Sequence, residues 1–75
     1  MKKFRVRVFY KNGVFDPEAK TLLDALHRTG YQSVKDIKIG RFFDITIEGD
    51  LKTVEEIADR FLANPVVETF EVSEL

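Results

Sequence analysis

Residues 34–48 read VKDIKIGRFFDITIE, and the pairing of this stretch decides the fold. Ile37, Ile39, Phe43, Ile45 and Ile47 all fall on odd positions, the period of a strand with one apolar face. A two-residue turn at Gly40-Arg41 would set Ile39 opposite Phe42 and Ile37 opposite Asp44, which splits that face between core and solvent. A three-residue loop, Gly40 to Phe42, pairs Ile39 with Phe43 and Ile37 with Ile45. The expectation is therefore a hairpin over Gly40 to Phe42, with Phe42 exposed because its parity opposes its neighbours. One long strand bent at Gly40 keeps the same parity, and such a strand could pair with a second chain.

On the N-terminal side, KKFRVRVFYK (Lys2 to Lys11) alternates with period two, which predicts a strand with Phe4, Val6, Val8 and Tyr10 on one face. Asn12-Gly13 is a loop signal. Asp16 then caps a helix with Pro17 at its first position and Glu18 in its first turn. Ala19, Leu22, Leu23 and Leu26 form its apolar stripe, Arg28 suits the negative pole of its dipole, and Gly30 ends it. On the C-terminal side, Thr53-Val54-Glu55-Glu56 reads as a capping box opening a second helix. Its stripe is Val54, Ile57, Ala58 and Phe61, and Glu56 and Arg60 sit four apart on its outer face. Asn64-Pro65 ends that helix, and Val66 to Val72 is the last strand.

The order β-α-β-β-α-β, with one apolar face per helix, predicts a single domain over residues 1–75. The fold class is α+β, a ferredoxin-like sandwich with an antiparallel four-stranded sheet and two helices on one face. Strand order 4-1-3-2 places Arg5 and Arg7 beside Asp44, Glu48 and Glu71 on the outer face. The same uncovered face is expected to carry Phe9, Val34, Phe42 and Val67. Together with Gly40 and Arg41 at the bend, these are the candidate interface residues.

Seventy-five residues without cysteine give a small core with no disulfide or thiolate support, so self-association is the expected route to stability. Twelve basic against thirteen acidic residues leave net charge −1, which is no electrostatic footprint for nucleic acid. No apolar run exceeds three residues, and Met1-Lys2-Lys3 leads straight into a strand. The expectation is a cytoplasmic protein with no leader and no membrane span.

Little in the chain reads as chemistry. His27, the only histidine, borders the apolar stripe of the first helix. It has only Asp24 at contact spacing and no third ligand or base, so a packing role is expected. Ser33 and Ser73 have no base at recognisable spacing, and no GxSxG, HExxH, P-loop or GxGxxG occurs. Glu55, Glu56 and Asp59 read as a solvated face rather than a carboxylate pair across a cleft. Gly40-Arg41-Phe42-Phe43 matches an RNA-recognition strand poorly, since Phe43 is claimed by the core. An acylphosphatase shares this topology, but Asn12-Gly13-Val14 is a turn and no phosphate loop. No catalytic, cofactor-binding or metal-ligating residue is expected.

The run from Gly13 to Tyr31, then Val34 to Ile45, then Phe61 to Val72, closely resembles the PurS family, the small subunits of phosphoribosylformylglycinamidine synthase. Three elements carry the resemblance. Val14 to Lys20 precedes Ala25-Leu26-His27 and Gly30-Tyr31; Val34 to Arg41 matches a V-x-x-I-x-I-G-R/K strand; Leu62 to Glu68 matches the end of the second helix. The resemblance covers essentially the whole chain. It implies a part in purine biosynthesis, in a complex that uses ATP, magnesium and glutamine to convert formylglycinamide ribonucleotide to formylglycinamidine ribonucleotide. In such a complex a glutaminase (PurQ-type) subunit releases ammonia and a synthetase (PurL-type) subunit consumes ATP. The small subunit forms dimers or tetramers and joins the other two, binding no cofactor and supplying no catalytic residue. A dimeric small-molecule-binding regulatory module is the alternative for a sandwich of this kind.

Overall fold

The central strand is β1, Lys2–Tyr10, whose alternation places Phe4, Val6 and Val8 fully in the core. The computed structural model describes all residues from Met1 to Leu75. After β1 come helix α1 (Pro17–Arg28), strand β2 (Gly40–Ile47), helix α2 (Leu51–Ile57) with a π-helical turn over Ala58–Leu62, and strand β3 (Glu68–Glu74). The sheet has three strands in the order β2-β1-β3, both pairings antiparallel. Val6 lies between Phe43 and Val72, and Val8 between Arg41 and Phe70. Val54 of α2 and Ala58 of the π turn close the core from one side.

The four-stranded sheet and the hairpin expected over Gly40 to Phe42 do not form. The three residues of that loop are instead spent on the ladder with β1, with Gly40 opposite Phe9, Arg41 opposite Val8 and Phe42 opposite Arg7. Three-residue hairpin loops need a residue with positive φ, and only Gly13 and Gly30 have it here. Gly40 serves close approach instead, since a Cβ there would stand 2.9 Å from the Val8 carbonyl oxygen. Residues 35–39 thus precede β2 as an arm that belongs to no strand, so β2 is also shorter than the single long strand of the alternative. None of the chain's backbone hydrogen bonds outside its helices and strands involves them.

The second departure is α1. Asp16 caps it as expected, accepting from the amides of Glu18 and Ala19, and Gly30 at φ 102° follows its end. Yet α1 does not join α2 on the sheet. The core cluster and the apolar residues packed against it come from the strands, α2 and the π turn, with none from α1. The molecule is accordingly elongated, 48 × 25 × 13 Å, with a radius of gyration of 15.6 Å, against about 11 Å for a compact chain of this length.

Helix α2 begins earlier than the capping box predicts. Asp50, not Thr53, is the cap; its carboxylate accepts from the Thr53 amide and hydroxyl. Those donors hold the Asp50 carboxyl below the ordinary carboxylate range. Further along, the Ala63 amide donates to the Ala58 carbonyl, five residues back. This single wide turn shifts the apolar stripe by one residue. Leu62 packs on the core, while Phe61, expected inside, is 75% exposed. Arg60 lies over the Phe61 ring at 5.8 Å and makes no ion pair with Glu56. Strand β3 starts at Glu68 rather than Val66, because Asn64 accepts from the Val66, Val67 and Glu68 amides to form a turn first.

Candidate functional site

The arm and α1 lie together. Ile37 and Ile39 are half-buried, as are Leu23 and Leu26, while Leu22 is 46% exposed. A groove of about 370 Å3 runs between the loop after β1, α1 and the arm, with Tyr10, Phe15, Leu23, Ile37 and Ile39 among its lining. Beside the arm, β2 offers its outer edge, Gly40 to Ile47, to no other strand. The chain therefore carries an unpaired strand edge, a segment that belongs to no strand and an apolar helix outside its own core cluster.

His27 ties this region down. Its Nε2 lies 2.7 Å from the Val34 carbonyl oxygen. A carbonyl only accepts, so Nε2 carries the proton and donates. The Tyr31 amide donates to Leu26, the Val34 amide to Tyr31, and the Gln32 side-chain amide to the His27 carbonyl. Asp24, the one acid at contact spacing from His27, pairs instead with Lys20 at 2.7 Å. That ammonium keeps the Asp24 carboxyl below its usual range. No group of three or more His, Cys, Asp or Glu side chains is placed to hold a metal ion.

The candidate interface residues do not share one face. Phe9 and Phe42 do lie on the outer face of the sheet, where Phe42 is 60% exposed as parity predicts. Each ring already carries a cation: Lys38 sits 4.6 Å from the Phe9 centroid and Arg5 4.5 Å from that of Phe42. Arg5 at the same time donates to both carboxylate oxygens of Asp44, which lowers the Asp44 pKa. Arg7 lies opposite Glu71 but reaches Ser73. Val34 belongs to the turn after α1 and Val67 to the turn before β3, so neither is on the sheet. Gly40 opens β2, and Arg41 points to the helix side, opposite the buried Val8.

Arg41 forms a clamp that the sequence reading missed. Its guanidinium donates to both carboxylate oxygens of Glu68 and to the Leu62 carbonyl, and so satisfies an acceptor at the end of the π turn. Glu68, only 11% exposed, also accepts from the Asn64 amide at 2.7 Å. Arg41 and then that amide hold the Glu68 carboxyl below the ordinary range. The odd parity of Arg41, shared with Phe43, was the available sign that it lies on the core side.

A family model described as PurS, phosphoribosylformylglycinamidine (FGAM) synthase, matches residues 3–74. The PurS subunit of Bacillus subtilis is 38% identical over 74 residues, covering 93% of this chain and 88% of that one. The PurS subunit of Methanocaldococcus jannaschii is 35% identical over 77 residues, covering 96% and 93%. Among solved structures, B. subtilis PurS superposes with a TM-score of 0.90 at 34% identity over 100% of this chain and 99% of that one. A chain of the structure described as PurLQS from Thermotoga maritima gives 0.87 at 30% identity over 99% and 96%.

Proposed function

Because this chain belongs to the PurS family of phosphoribosylformylglycinamidine synthase, we propose that it works as a non-catalytic assembly subunit of that ligase, joining a PurQ-type glutaminase to a PurL-type synthetase. The observation that carries this reading is a match along nearly the whole chain to a subunit that is also found in a structure named for all three components. ATP and magnesium then belong to the complex and not to this chain, and the site of action is the cytoplasm. The test is co-purification. Mixed with the two partner subunits, the protein should bring them into one complex and raise glutamine-dependent product formation. Synthesis from free ammonia should need it less, because ammonia in solution bypasses delivery. Partners that assemble and turn over glutamine equally well without it would overturn the reading.

The assembly unit is a homodimer in which the arm of one copy, residues 35–39, pairs with the outer edge of β2 of the other. Ile39 then lies opposite the partner's Phe43 and Ile37 opposite the partner's Ile45, the contacts of the expected hairpin made between chains. Exposed area supports this. The chain exposes 5637 Å2, about 900 Å2 more than a compact monomer of 8.7 kDa should. That excess is close to the roughly 800 Å2 that each partner of a standard interface buries.

A further inference from the structure

We propose that His27 is a positioning residue for self-association: its Nε2–H bond to the Val34 carbonyl aims the arm at the second copy. The proposal rests on the dimer described above. The observations lie on either side of Val34. Before it, every turn of the chain is fastened to the last turn of α1. Thr29 donates through its amide and hydroxyl to Ala25 and Leu26, the Tyr31 amide donates to Leu26, and Gln32 donates to the His27 carbonyl. After it, no backbone hydrogen bond holds residues 35–39 until the ladder begins at Gly40. The His27–Val34 bond is therefore the last one made to the chain's own backbone atoms before the arm.

Two features make this bond a steering device rather than a general helix contact. It spans seven residues and joins the side chain of α1 to the backbone of the segment that leaves it. It also occupies the Val34 carbonyl, which a strand extended back through Val34 would offer to a partner, so in the dimer the arm's pairing would begin at Lys35. Without the bond, the peptide between Val34 and Lys35 can rotate. The five residues, held between Val34 and Gly40 only by side-chain contacts such as that of Lys38 with Phe9, then sample directions that do not meet a partner edge, and ordering them has to be supplied by association.

The experiment measures the dimer dissociation constant by sedimentation equilibrium, with far-UV circular dichroism recording helix content. His27→Ala should weaken dimerisation about tenfold, the scale of one directional hydrogen bond, while helix content is kept. His27→Gln, whose amide nitrogen reaches the place of Nε2, should restore it to within about threefold. His27→Asn, whose nitrogen stands where Nδ1 does, should behave like His27→Ala. If His27→Ala fails to fold, the Gln and Asn variants still decide, because both keep a polar amide and only one reaches Val34. Equal dissociation constants for Gln and Asn overturn the proposal, as does an Ala variant that melts lower but dimerises as well as wild type. A wild-type chain that stays monomeric at every concentration overturns the dimer itself and is seen before any variant is made.

Discussion

At the scale of single residues, stability sits in few places. Six residues are buried, among them Phe4, Val6, Val8 and Val54. Phe4→Ala removes the largest of them and should cost about 3–5 kcal/mol, read as a lower urea midpoint with an unchanged slope. Arg41→Ala strands a Glu68 carboxylate that is only 11% exposed and should cost about 1–3 kcal/mol. Lys20→Ala, at an exposed pair within one helix, should cost less than about 0.5 kcal/mol. The pH dependence has a definite sign. The carboxyls of Asp24, Asp44, Asp50 and Glu68 are all lowered in the fold, Glu68 chiefly by Arg41. The unfolded chain therefore binds protons first. This stabilisation is complete above the unfolded carboxylate values of about 4 and is lost as pH falls through the lower folded ones. Urea midpoints at pH 6, 4 and 3 should fall in that order, and Glu68→Gln should fall less steeply.

At the scale of elements, the π turn separates pattern from packing. The spacing of Val54, Ile57, Ala58 and Phe61 is helical, and a regular helix would bury Phe61. The five-residue hydrogen bond from Ala63 to Ala58 gives that place to Leu62. Leu62→Ala should therefore cost about 2–3 kcal/mol, and Phe61→Ala about 0.5 kcal/mol or less. Thermal unfolding of the two variants checks the order, and the reverse order would restore the regular helix. The same reasoning assigns the cap: Asp50→Ala should destabilise the protein more than Thr53→Ala does, read from the order of their melting temperatures. Period and cap chemistry made both helices legible in the sequence. Which of two nearby acceptors caps α2 is settled where the Asp50 carboxylate meets the Thr53 amide and hydroxyl, and the wide turn ends where Arg41 takes up the Leu62 carbonyl.

At the scale of the whole molecule, the chain leaves its own apolar surface unfinished. Light scattering should report a mass above 8.7 kDa at micromolar concentration. Ile37→Asp, in the arm, should return the protein to monomers while its strand signal by circular dichroism remains, because Ile37 is absent from the core cluster. A wild-type monomer, or a dimer untouched by Ile37→Asp, would count against the arm. Residue pattern alone is enough for β1, α1, α2 and β3, the cap at Asp16, the stop at Gly30, the exposed parity of Phe42 and the family. Each of these depends on neighbours a few residues apart, or on a pattern carried along the chain. That residues 34–48 do not turn back on themselves, that α1 stands off the sheet and that Arg41 reaches Glu68 all depend on contacts between distant parts of the chain. Parity could not separate the hairpin from the arm, because both set Ile39 against Phe43 and Ile37 against Ile45. The distinction lies in whether Gly40, Arg41 and Phe42 pair with β1 or are left free to turn, and the close approach of Gly40 to the Val8 carbonyl settles that in favour of the ladder.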